Sequence, residues 1–378
     1  MSAMNYPRHR SFAVLALALL LTPFALTAQT TAPKAGAPAD KTERYIAIDN
    51  VCAWPNLTVL PDGTIVATIF GQPTHGQTKG AAECWASKDG RFWEKRGIPA
   101  PNAPSTNRMN VAAGLAKNGD LLVACSGWSN LQQPGQAKEA AFRDAILRAW
   151  VCRSSDGGRT WIQYKNALPA PQEGFSEYVP FGDIFVGEDG ALHTVFYARQ
   201  FAEPGKSTKR IGHRSWHFRS DDDGRTWQRI SVIGPKSDET DLFHLGGKRW
   251  LAAARSDAVY LYRSDDDGKT WQEPQRVTEP QEVNAHLARL KDGRLLLSYG
   301  NRVKADQYGV WTKLSSDEGK TWNAPVHILH SAARDCGYPS SIQRPDGAVV
   351  TAYYSASVAN HTRYHMGVVI WTAPAPNP

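Results

Sequence analysis

The chain has 378 residues, 42% hydrophobic and 21% charged, which is enough apolar material for a sizeable core and excludes a disordered polymer. Its 31 glycines, 24 prolines and 13 tryptophans argue against a helical bundle and for short strands, tight turns and aromatic packing, so an all-β protein is expected. The formal charge of +7 comes from scattered rather than clustered lysines and arginines, which argues against nucleic acid as a partner and for solubility or acidic ligands.

At the start of the chain, the basic stretch Arg8 to Arg10 precedes an apolar run from Phe12 to Leu21, and Ala25-Leu26-Thr27-Ala28 follows. That run is too short to span a bilayer, and the pattern is that of a cleaved export signal over residues 1–28. No cysteine lies at the cleavage point to carry a lipid, and no later segment is suited to crossing a membrane, so a secreted or periplasmic protein without membrane contact is expected. Removing residues 1–28 takes away Arg8 and Arg10 and no acid, which leaves the balance mildly basic. Residues 29–43, rich in Ala, Pro and Thr without apolar periodicity, read as a linker, and the folded domain is expected over residues 44–373.

Two repeats organise that domain. The pattern Ser-x-Asp-x-Gly-x-Thr-Trp occurs four times, at Ser154 to Trp161, Ser220 to Trp227, Ser264 to Trp271 and Ser315 to Trp322, with a shortened copy at Ser87 to Trp93. Each reads as a turn: Ser and Asp bond nearby amides, Gly supplies positive φ, and Trp buries a large face. Asp156, Asp222, Asp266 and Asp317 are therefore expected as turn formers, since the spacing lacks the ligands of a calcium loop. Out of phase with this repeat, six segments read as an apolar strand, a tight turn and a second apolar strand; they begin at Asn56, Val111, Asp183, Asp241, Ala285 and Ser340. A hairpin, a third strand and the turn box make a four-stranded unit of propeller-blade size. Six units imply a six-bladed β-propeller. The last lacks a turn box, and Arg44 to Ile48 is positioned to complete it and close the ring.

The five cysteines, Cys52, Cys84, Cys125, Cys152 and Cys336, have no metal-ligand spacing; at least one must stay unpaired, and pairing of the rest is left open. No metal or organic cofactor is implied.

In a propeller the inner strands converge on the axis, so polar residues just before each inner hairpin meet in one funnel. These turn boxes, known as Asp boxes, on a six-bladed propeller resemble the sialidase (neuraminidase) superfamily over essentially the whole mature chain. The resemblance implies a glycan substrate, a Tyr nucleophile paired with a Glu, three arginines that hold the sugar carboxylate, and an Asp acid/base. Some members carry a structural calcium. Cys336-Gly337-Tyr338-Pro339-Ser340 ahead of the Asp346-Gly347 turn matches the nucleophile position and assigns that role to Tyr338. Glu239-Thr240-Asp241 leading to Ala254-Arg255 matches the Glu and a carboxylate-binding arginine, with Asp241 the alternative to Glu239. Arg302, after the strand LLLSYGN, matches the next arginine. A phenol is a weak nucleophile at its usual pKa of about 10, so Glu239 would take its proton as it attacks. Guanidinium forks grip a carboxylate in a bidentate way that lysine does not.

Two positions depart from the family pattern. The first arginine position falls on Ala53, beside Trp54, which is a candidate for sugar binding; Arg108, opening the second unit, is the cation available to replace the missing one. The loop Gly71 to Gly76 has no carboxylate for the acid/base, and His75 is its nearest substitute, with Glu83 a second candidate. The expected activity is a sialidase-like exo-glycoside hydrolase removing a terminal sialic acid or related acidic sugar. Left open beside it are a polysaccharide lyase, a hydrolase of uronic-acid or arabinan glycans, and a non-catalytic glycan-binding propeller.

Overall fold

The computed structural model describes residues 42–74, 77–129, 145–202 and 210–375. The expected leader, residues 29–41 of the expected linker, and His75 lie outside the described residues. The described residues hold 24 strands and no helix. Four sheets have four strands each, and the fifth has eight. The eight-stranded sheet divides into two four-stranded units, joined where the inner strands Asn110–Leu115 and Val179–Val186 run parallel, with Ile184 opposite Gly114. Glycine is needed at this join, because a β-carbon on Gly114 would lie 2.1 Å from the Ile184 carbonyl oxygen.

The result is six four-stranded units. Their innermost strands are Cys52–Val59, Asn110–Leu115, Val179–Val186, Thr240–Gly246, Glu282–Arg289 and Cys336–Gln343. Each lies beside the next, and the sixth lies beside the first, so the units form a closed ring of blades. Closure is made by chain ends, as the sequence predicts. Strand Glu43–Asp49 pairs antiparallel with His365–Trp371, from Glu43 opposite Ile370 to Asp49 opposite His365, and supplies the outer strand of blade six.

The Asp boxes join the third and fourth strands of blades one to five. In the box of blade four, Asp266 Oδ1 accepts the amides of Lys269 and Thr270 at 3.0 and 2.9 Å, and its Oδ2 accepts the Thr270 hydroxyl at 2.6 Å. The Gly268 amide donates to Ser264 Oγ at 2.9 Å. These carboxylates satisfy their own turns.

Most of the core lies between blades, and a further buried cluster with Trp54, Phe181, Tyr338 and Tyr354 sits where the inner strands converge. Each box tryptophan packs into the gap toward the preceding blade: Trp161 against Leu60 and Val66, Trp227 against Leu122 and Val151, Trp322 against Leu251 and Val259. Blade six has no box, and Trp371, in its third strand, fills the gap toward blade five beside Leu296 and Val310. All five cysteines are buried free thiols.

Candidate active site

The inner strands of blades one, three, five and six each slip register near their start, between Cys52 and Asn56, Phe181 and Phe185, Val283 and His286, and Gly337 and Ser340. At these bulges Ala53, Trp54, Gly182, Asn284, Gly337 and Tyr338 take positive φ. A bulge re-aims a side chain that regular pairing would send to a sheet face, and here it turns four blades' residues toward the axis. A non-glycine residue held there costs about 1–3 kcal/mol, which the surrounding packing must offset. Tyr338, at φ 50°, is buried, and its ring is enclosed by Trp54, Phe181 and Tyr354 with centroids 5.5, 5.9 and 5.5 Å away.

The Tyr338 hydroxyl donates to Glu239 Oε2 at 2.7 Å and accepts from Arg255 Nη1 at 2.9 Å. Arg255 Nη1 also donates to that Glu239 oxygen, and Asn284 Nδ2 donates to it at 2.7 Å. The Glu239 amide is fixed by Asp238 Oδ1 at 2.8 Å. One carboxylate oxygen thus gathers a phenol, a guanidinium and an amide from blades six, four and five. Burial, then the charge of Glu239, pushes the Tyr338 hydroxyl well above its usual range, against the opposing pull of Arg255 and Arg302. The phenol keeps its proton at rest and points it at the group able to take it.

Arg302 braces this arrangement from below. Its Nε and Nη2 donate to the Cys336 carbonyl at 3.0 and 2.7 Å, Nη2 also donates to Tyr354 Oη at 3.0 Å, and the guanidinium lies 5.3 Å from the centre of the Tyr338 ring.

A cavity of about 380 Å³ opens over these groups. Of the residues singled out in the sequence, Tyr338, Glu239, Arg255, Arg302 and Trp54 all line it. Arg108 does not, which corrects its assignment as the replacement cation. Its guanidinium lies 3.9 Å from the Trp150 ring centre and Nη1 donates to the Arg148 carbonyl at 2.8 Å, so stacking within blade two turns it away. Glu83 is bonded to Trp85 Nε1 and Lys95 Nζ at 2.9 and 2.6 Å and is not part of the lining. Asp241 is no substitute for Glu239: its carboxylate accepts the buried Leu287 amide at 2.7 Å, and burial raises its pKa.

The sequence reading missed Arg199, His213, Asp238, Trp128, Tyr197 and Asn110 in this lining and Asn284 beside Glu239. Asn284 immediately precedes the hairpin that begins at Ala285, and Arg199 lies two residues before the end of the second strand of its blade, close to the place Arg255 holds in the next, so both were findable from the repeat.

A family model described as a BNR repeat-like domain matches residues 131–351. Among the curated proteins no sequence matches this chain. Of solved structures, a protein of unknown function from Dyadobacter fermentans superposes with a TM-score of 0.74 at 21% identity, covering 88% of this chain and 98% of that one. NanB sialidase from Streptococcus pneumoniae, as its K499G mutant, gives 0.64 at 12% identity over 87% of this chain and 70% of that one. Trypanosoma rangeli sialidase, in complex with 2,3-difluorosialic acid as a covalent intermediate, gives 0.61 at 14% identity over 87% of this chain and 59% of that one. The chain therefore spans well under two thirds of the trypanosomal protein's length, and at these identities the likeness is one of fold.

Proposed function

From the premise that this chain belongs to the BNR repeat-like domain family, we propose that it is an exported, sialidase-like exo-glycoside hydrolase that removes a terminal acidic sugar from a glycan. The observation that carries this reading is the 2.7 Å hydrogen bond from the Tyr338 hydroxyl to Glu239, made under Arg255 and at the wall of a cavity large enough for a sugar.

In this reading, the Tyr338 oxygen attacks the anomeric carbon while its proton passes to Glu239 Oε2. The bond to the aglycone oxygen breaks, and that oxygen takes a proton from an acid, a role assigned to His75. Water then attacks the anomeric carbon and gives one proton to the acid spent in the first step, the glycosyl–tyrosine bond breaks, Glu239 returns its proton to the phenolate oxygen, and the sugar leaves with retained configuration. A neutral phenol suits this task because it brings no negative charge toward an anionic sugar. Arg255 holds the phenol oxygen and stabilises the negative charge that Glu239 loses as it is protonated and regains afterwards. Arg255 and Arg302 also give the floor of the cavity the positive field that an acidic sugar needs, and Trp54 offers the sugar an apolar face.

The test is turnover of aryl sialosides and aryl uronides by wild type, Tyr338→Phe and Glu239→Gln, with product analysis. The reading expects saturated sugar of retained configuration from wild type and at least a 10²-fold loss of kcat in both variants. Turnover by the Phe variant at the wild-type rate would overturn it. An unsaturated, ultraviolet-absorbing product would replace it with the lyase reading.

A further inference from the structure

Each of the four bulges that turn residues toward the site is shortly followed by a polar side chain, and these side chains form a belt around the axis. Asn56 follows Trp54, Asp183 follows Gly182, His286 follows Asn284 and Ser340 follows Tyr338. All but Asp183 are buried. They join blades by bonds that no strand pairing supplies. The Leu57 amide of blade one donates to Ser340 Oγ of blade six at 2.9 Å, and the Ser341 amide of blade six donates to His286 Nδ1 of blade five at 3.3 Å. The Leu287 amide of blade five donates to Asp241 Oδ2 of blade four at 2.7 Å, and the Asp183 amide of blade three donates to Asp241 Oδ1 at 3.3 Å. Asn56 Nδ2 of blade one closes the belt on Asp183 Oδ1 at 2.7 Å.

Within this belt His286 ties together the two strands that meet at Glu239. It follows the bulge of Asn284, whose Nδ2 donates to Glu239 Oε2 at 2.7 Å. It also accepts an amide from the strand that carries Tyr338, whose hydroxyl donates to the same oxygen at 2.7 Å. Because Nδ1 accepts an amide, the imidazole carries its proton on Nε2, which lies 3.3 Å from Asp183 Oδ2. Both ring nitrogens thus face a neighbouring inner strand. Tyr338 and His286 line one small cavity of about 20 Å³, so neither has much room to shift. Tyr338 at φ 50° and Asn284 at φ 60° hold backbone conformations that persist only where the surroundings over-determine them. Without the tie, the strand of Tyr338 would relax toward regular pairing and turn the phenol from Glu239.

We propose that His286 is a positioning residue: through the Ser341 amide it holds the Tyr338 bulge against the Asn284 bulge and so keeps the phenol oxygen on Glu239. The proposal rests on the reading of Tyr338 as nucleophile, but the placement of the phenol can be measured without substrate.

The test compares His286→Asn, His286→Gln and His286→Leu. An Asn amide reaches the place of Nδ1 and can accept the Ser341 amide, a Gln amide extends to the place of Nε2, and Leu accepts nothing. Thermal unfolding reports whether each variant folds. The carbon-13 signal of Tyr338 Cζ, identified by its loss in Tyr338→Phe, reports the phenol's hydrogen bond in the absence of substrate. Steady-state kinetics use the aryl sialoside or uronide that wild type turns over. The Gln and Leu variants should shift the tyrosine signal and lose about 10²-fold in kcat, with KM within twofold of wild type. The Asn variant should keep the wild-type signal and lose less than tenfold in kcat. Equal kcat in the Asn and Gln variants, a tyrosine signal unmoved in all three, or failure of all three to fold would overturn the proposal; the last would make His286 a tie between blades only. If Leu alone fails to fold, the Asn and Gln pair decides by the same criteria. A wild type that turns over no glycoside would overturn the hydrolase reading, and the tyrosine signal would then decide the placement of the phenol by itself.

Discussion

Gly337 and Gly300 meet backbone to backbone behind the bulge that presents Tyr338: a β-carbon on Gly337 would sit 2.9 Å from the Gly300 α-carbon, and one on Gly300 would sit 3.3 Å from that of Gly337. Gly337 also has a φ of +103°, outside the usual range of a residue with a side chain. The position of the phenol thus depends on the absence of two methyl groups on neighbouring blades.

Gly337→Ala should therefore destabilise the fold by about 1–3 kcal/mol and lower kcat through displacement of Tyr338. Gly300→Ala meets only the softer contact and should cost less. Thermal unfolding and steady-state kinetics on the two variants check both statements; equal, negligible effects would show that the bulge tolerates a side chain.

The Asp boxes are predicted to support stability and not chemistry. Asp266→Ala leaves the Lys269 and Thr270 amides and the Thr270 hydroxyl without their acceptor, a loss of about 1–3 kcal/mol. Denaturant unfolding should show that loss, while KM and kcat below the melting range should stay within twofold of wild type.

A pH effect follows from the stacked imidazoles of His193 and His217, whose Nδ1 and Nε2 atoms lie 2.8 Å apart. Burial, then the charge of its neighbour, pushes His193 down to about 3, and burial pushes His217 down to about 4. The unfolded chain protonates both near pH 6.5 and the folded protein does so only near pH 4 or below. Their contribution is therefore complete above pH 6.5 and is lost as pH falls toward 4. Asp241 works in the opposite sense: burial raises it to about 7, so its contribution is present in acid and lost as pH rises from about 4 through 7. The two trends overlap in wild type, so the test is a difference. The stability advantage of wild type over His193→Gln should shrink by up to about 1.4 kcal/mol per pH unit between 6.5 and 4, as read from urea unfolding at pH 7, 5.5 and 4.5. A difference independent of pH would refute the assignment.

Much of this architecture is legible in the chain because it is written locally. An Asp box is eight consecutive residues whose hydrogen bonds close on themselves, and each hairpin has its turn between two apolar runs. Even the closing strand follows, because a sixth unit without a box lacks one strand and Arg44 to Ile48 is the unpaired candidate. Tyr338, Glu239 and Arg255 could be singled out for the same reason, since each sits at a fixed offset from a hairpin. Direction is what the sequence withholds. Arg108 opens an inner strand just as Glu239 does, yet its guanidinium is drawn onto Trp150, a partner 42 positions away. The bulges are also hidden: the apolar pattern starts the inner strands of blades one and six at Asn56 and Ser340, whereas pairing begins at Cys52 and Cys336. Arg199 depends on a comparison between blades rather than on any local motif.

The expected export signal has its own check. Protein recovered from the periplasm or medium of an expressing bacterium should begin at Gln29 by amino-terminal sequencing, and an intact Met1 in secreted material would contradict the assignment.

The most direct measurement of the central proposal is peptide mass mapping after incubation with a 2,3-difluorinated acidic sugar, whose fluorine slows breakdown of any glycosyl–enzyme bond. A mass increase equal to the glycosyl group on the peptide carrying Tyr338, absent from Tyr338→Phe, is the predicted result. A label on another residue, or unmodified Tyr338 in enzyme that turns over the matching glycoside, would contradict it.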